Sequence, residues 1–232
     1  MIDWSWALLQ GAEEAVLRRL SVHGGDASAE AAGVVCSDAA ACVRERQVPL
    51  VLDRLVERSL VVLVDRPEGP RYRLPESVKD YARERLRAAG EDEEARARHG
   101  AYYRELALGA EPLLRGPRQR LWLARLDAAG AELYPAVEEA LAHGRVVPAL
   151  RTACALARYW LLRGGPAEGG RLLDACLAAE RDHPAQHPAQ HQAPYHLPHL
   201  ASGTGPGRDR QAGERIAATA LATAWRRPGG PD

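Results

Sequence analysis

The densest group of chemically able side chains is a run of five histidines, His183, His187, His191, His196 and His199, inside 17 residues. Imidazoles four positions apart on a helix can chelate a metal. Pro184 and Pro188 stand inside that register. Proline removes a helical donor and clashes with the preceding turn, so the tract sets no rigid geometry. No metal site and no cofactor is expected. Other catalytic chemistries find no better footing. The one lysine, Lys79, lies in RLPESVKDYA, without the glycines of a GxxxxGK[ST] phosphate loop. No Ser-His-Asp order and no paired carboxylates occur. Four cysteines without a CxxC pair make neither a zinc framework nor a disulfide scaffold. Cys36, Cys154 and Cys176 fall at apolar positions, where a free thiol acts as a small hydrophobe. Cys42 falls in a polar stretch. The chain is expected not to be an enzyme, and to keep its thiols reduced in the cytoplasm.

Basic side chains are the remaining candidates. Residues 1–89 carry 13 basic and 14 acidic side chains, a net charge of −1. Contact with DNA needs phosphate neutralisation by Lys and Arg. Arg54, Arg58, Arg66, Arg71 and Arg73 are the candidate contacts, but Asp53 and Glu57 stand beside the first two. That balance disfavours DNA and favours a protein partner. Trp122, Tyr159 and Trp160 could line a partner groove, although such aromatics more often fill a core. Glu91 to Glu94 reads as a solvated linker and helix start.

Several elements must position these side chains. Across the 232 residues, 31 basic and 31 acidic groups cancel, and 46% of residues are apolar, enough for a core. No run of 18 apolar residues exists, and the first 20 residues lack the apolar stretch of a signal peptide. Apolar spacing predicts a helix over about 3–22, stopped by Gly24-Gly25, and a short helix capped by Ser28. A third helix is expected at about 48–58. The period then changes to two: LVVLV at 60–64 and RYRL at 71–74 flank the turn RPEGP. A helix from Glu76 to about Ala89 follows. This order predicts a mainly α chain, with a winged helix at 1–90 whose wing is a two-stranded β-hairpin.

From 91 to 180 only helices are expected, packed as antiparallel hairpins. One starts at 91, and one spans about 117–143 with Pro135 as a kink or break. Two more lie at about 147–163 and 166–180. Leu156, Ala157, Trp160, Gly164, Gly169, Leu173 and Cys176 have the spacing of tetratricopeptide key positions. Residues 181–232 read as a His/Pro/Gly-rich, disordered tail with a short helix at 214–225.

Between residue 3 and about 180 the chain resembles large actinobacterial regulators of the STAND class. In these an NB-ARC-like ATPase precedes a winged helix and helical repeats, and many are LuxR- or SARP-like transcriptional regulators. The resemblance lies in WSWALLQGAEEAVLRRLSV, LDRLVERSLVVLVD, RYRLPESVKDYARERL, RARHGAYYRELA, LRGPRQRLWLARL and YWLLRGGPAEGGRLLDACLA. It implies a regulatory, protein-interaction module that couples a partner surface to a nucleotide switch located outside this chain. Where many NB-ARC relatives carry Tyr-Arg-x-His-Asp after the wing, Tyr72-Arg73-Leu74 is followed by Pro75-Glu76. Direct nucleotide sensing here is therefore not expected. The alternative readings are a DNA-binding regulator acting through the winged helix and a truncated remnant without activity of its own. Because repeat arrays need about three units, apolar edges near 166–180 and around Trp4 and Trp6, and hence self-association, are expected.

Overall fold

The computed structural model describes residues 2–38 and 43–182. Cys42, the histidine tract and the helix expected at 214–225 lie outside the described residues. The fold is mainly helical and divides into two compact units, the boundary falling between Tyr102 and Tyr103.

The first unit opens with α1 (Ile2–Ala7) and α2 (Gly11–Leu20). One continuous helix was expected here, but the chain breaks at Leu8–Gln10. Gln10 takes extended backbone angles and its amide donates to Glu13 Oε2 at 3.0 Å, starting a fresh helix. Strand β1 (Ala27–Ser28) leads into α3 (Ala29–Cys36), with the Ser28 side chain accepting from the Ala31 amide at 3.1 Å. That satisfies one donor left open at the helix start. A 3-10 turn at Glu45–Gln47 runs directly into α4 (Val48–Glu57). Gly33 of α3 permits this approach: a Cβ there would meet the Glu45 side chain at 3.1 Å.

Two residues past the end of α4 stands Ser59, a non-glycine residue with φ 58°, and the Leu60 amide reaches back to the Leu55 carbonyl at 2.9 Å. This left-handed cap turns the chain into β2 (Val62–Val64) and β3 (Arg71–Arg73), the expected hairpin. The two-stranded wing is extended by one strand: β1 pairs antiparallel with β3, giving the order β1-β3-β2. Helix α5 (Glu76–Ala88) packs on α2, and α2 also meets α3 and α4. Leu17, Leu20, Leu52, Leu55 and Leu86 fill the core between them.

Helix α6 (Asp92–Ala110) runs through the division between the units. The second unit continues with a 3-10 turn at Glu111–Arg115, α7 (Gln119–Ala128), α8 (Gly130–Ala142), α9 (Val146–Arg163) and α10 (Pro166–Asp182). The helix expected over 117–143 is split at Ala129, and Pro135 is carried inside α8. Gly164, at φ 72°, ends α9 in the left-handed conformation that glycine adopts without cost. The two-residue link folds α10 back against α9. Leu156, Ala157, Trp160, Gly169, Leu173 and Cys176 are all buried.

The expected apolar edges are only partly present. Trp4 is 72% exposed, but Trp6 is buried and meets the Tyr81 ring edge-on at 5.1 Å. In α10 the large apolar residues face inward, and the exposed ones are Leu161 and Leu162 of α9. Among the described residues, no helix is long and apolar enough to cross a membrane.

Candidate nucleic-acid interface

Helix α4 and the wing carry the candidate contacts. Val48, Val51, Leu52 and Leu55 form the buried stripe of α4. The opposite stripe therefore presents Gln47, Leu50, Asp53, Arg54 and Glu57, all exposed. The helical period alone fixes this division. Leu50 is 63% exposed, at the middle of the outward stripe and near the start of the helix. Strand β2 adds the exposed Val62 and Leu63, and Leu63 stands opposite Tyr72 of β3. Burial, and then the nearby Asp53 charge, push the Tyr72 phenol above its ordinary value.

The five arginines expected to contact DNA fall into two groups. Arg71 is buried and bonded through Nε to Asp26, while its Nη2 donates to the Asp26 carbonyl at 2.5 Å. Arg66 donates to the same carboxylate at 3.1 Å. Burial raises the Asp26 pKa, but the two guanidiniums more than offset it, so the group lies below its ordinary value. These arginines fix the wing against the loop before β1. Arg58 pairs with the buried Glu13 at 3.6 Å and donates to the Leu8 carbonyl at 3.2 Å. Arg54 and Arg73, by contrast, are exposed and have no ion-pair partner among the described residues.

Two further arginines share that property and were missed from the sequence. Arg44 caps the 3-10 turn that feeds α4 and Arg46 lies within it, both exposed and without an ion-pair partner among the described residues. Gln47 Oε1 accepts from the Arg44 amide at 3.1 Å, which orders the turn. Only the continuity of RERQ with α4 marks these residues, and the sequence pattern alone reads them as loop.

Charged braces hold this platform. Glu91 accepts paired bonds from Arg18, at 2.9 and 2.7 Å, and from Arg19, at 2.9 and 3.0 Å. Arg19 also donates to the Cys36 carbonyl at 2.9 Å and to Asp38 at 3.0 Å. Burial opposes the charge of Glu91, yet the two arginines hold its pKa at about 2. The solvated linker expected at 91–94 is thus corrected at its first residue, because two arginines of α2 converge on it. The Nζ of Lys79, which is buried, donates to the Gly24 carbonyl at 2.6 Å.

The groove aromatics are placed in the second unit. Trp122 and Trp160 are buried there, with Arg125 over the Trp122 ring at 5.0 Å and Tyr134 5.5 Å from the Trp160 ring. Tyr159 is partly exposed and donates to Asp127 at 3.2 Å. Burial drives the Cys36 and Cys176 thiols up to about 12, so neither is poised as a nucleophile.

This helix–strand–helix–helix–hairpin order also matches a known family model. Residues 9–87 match the model described as "Winged helix-turn-helix domain". They form a winged helix-turn-helix domain. The chain is 35% identical over 184 residues to the "Putative HTH-type transcriptional regulator Rv0890c" of Mycobacterium tuberculosis (strain ATCC 25618 / H37Rv). It matches the "Putative HTH-type transcriptional regulator Mb0914c" of Mycobacterium bovis equally well. Each alignment covers 78% of this chain and 20% of the relative, so the chain spans about one fifth of the length of the curated relatives it matches. No solved structure matches the chain significantly. In the winged helix-turn-helix, α3 and α4 are the two helices of the turn motif and β2–β3 are the wing.

Proposed function

We propose that this chain is a non-enzymatic transcriptional regulator whose winged helix binds duplex DNA through α4 and the wing. The observation that carries the reading is the group of exposed arginines, Arg44, Arg46, Arg54 and Arg73, around the recognition helix and wing, without ion-pair partners among the described residues. Arg18, Arg19, Arg66 and Arg71, by contrast, are held in internal ion pairs. What matters for phosphate contact is the charge left over at the surface of α4. The names of the relatives agree with this role. The test is fluorescence anisotropy of a labelled random-sequence duplex titrated with the full chain at about 50 mM salt. Saturable binding, lost in the variant with all four arginines changed to Ala, is the expected result. Absence of binding by the wild-type chain overturns the reading.

A second reading has its own observation. Leu50, Leu63, Asp53 and Glu57 make the same face partly apolar and acidic, a composition that suits a protein partner. The STAND resemblance points the same way: the winged helix would couple a helical-repeat partner surface, built from hairpins such as α9–α10, to a nucleotide switch. Under that reading, substituting the four arginines leaves partner capture intact while Leu50→Asp abolishes it.

A further inference from the structure

Resting on the DNA reading, we infer that Leu50 and Asp53 are the base-reading residues of α4, recognising a thymine and a cytosine in the major groove. Every other feature of the outward face then has a separate task. The exposed arginines supply contacts to phosphate, which position a protein without reading sequence. Leu50 stands at the centre of the outward stripe and near the helix start, the part of a recognition helix that reaches base edges. A large apolar side chain there has no polar edge to satisfy, and the thymine C5-methyl is the apolar feature of the major groove. Asp53 lies one turn further on and is exposed, with no ion-pair partner among the described residues. A carboxylate repels phosphate, but it accepts a hydrogen bond from the cytosine N4 amino group, a donor the major groove offers. The acidic residue that argued against DNA on charge alone thus becomes a selector. Glu57 follows at the far end of α4, beside Arg58, which is tied to Glu13 and Leu8, so that end is anchored to the protein rather than to a base.

The experiment is selection from a randomised duplex pool with the full wild-type chain, Leu50→Ala and Asp53→Asn, each checked for an unchanged circular-dichroism spectrum. The expected wild-type motif contains a thymine and a cytosine. Leu50→Ala relaxes the thymine position, and Asp53→Asn shifts the cytosine position toward adenine, which Asn can pair with through N6 and N7, by about tenfold. If all three proteins bind duplex but select the same motif, or none, the base-reading assignment is overturned while the DNA reading stands. If the wild-type chain binds no duplex at low salt, the DNA reading itself fails and takes this assignment with it.

Discussion

The two units are stabilised by different means. In the winged-helix unit, charged side chains far apart in sequence converge: Asp26 on Arg66 and Arg71, Glu91 on Arg18 and Arg19, Arg19 on Asp38. In the helical unit most of the fully buried large side chains are aliphatic, Leu114, Leu126, Leu133, Leu156 and Leu173 beside Tyr103, while ion pairs lie half-exposed at its surface, on one turn as in Arg115–Glu111 or between helices as in Arg163–Asp127. A carboxylate holding two guanidiniums depends on ionisation, whereas leucines in a hairpin do not. In the first unit many arginines are structural, and the proposed DNA contacts are those left over.

The largest expected effect lies in the helical unit. Leu156→Ala removes a fully buried side chain of α9 and should cost about 2–5 kcal/mol in urea unfolding, with little dependence on pH. Glu91→Gln should cost on the order of 3 kcal/mol at neutral pH, the worth of moving a carboxyl from its ordinary value to about 2. The sign follows from a lowered pKa in the folded state. The contribution is fully present above about pH 5 and is lost as pH falls toward 2. Unfolding curves of wild type and Glu91→Gln should therefore converge near pH 2. Hydrogen exchange should show acid opening α2 amides before those of α9. Equal acid sensitivity in both units would break the contrast.

Smaller changes sharpen it. Ser28→Ala deletes the α3 cap, and a loss of about 1 kcal/mol is expected from thermal unfolding. Ser59→Gly relieves a left-handed non-glycine residue, for an expected gain of about 0.5–1 kcal/mol by the same measurement.

Much of the fold is legible in the sequence, because helical and strand periods are local. The Ser28 cap, the 62–64 and 71–73 hairpin and helix α5 all follow from short-range pattern. Strand β1 does not, since two residues carry no alternation and pair only because β3 offers them an edge. The break at Leu8–Gln10 depends on one side-chain cap. The site was less legible. Arg54 and Arg71 look alike as arginines, and only Asp26, 45 positions before Arg71, tells them apart. Arg44 and Arg46 become candidates only once the 45–47 turn is seen to lead straight into α4.

The central claim is that unspent arginines, and not the spent ones, meet DNA phosphate. The slope of log binding constant against log salt counts phosphates neutralised, at about −0.9 for each. The full chain should give a slope of about −3.6 for four contacts. Arg46→Ala and Arg54→Ala should each reduce its magnitude by about one. Arg66→Ala should leave the slope unchanged. A slope that Arg66→Ala lowers while Arg46→Ala and Arg54→Ala leave it intact would contradict the account.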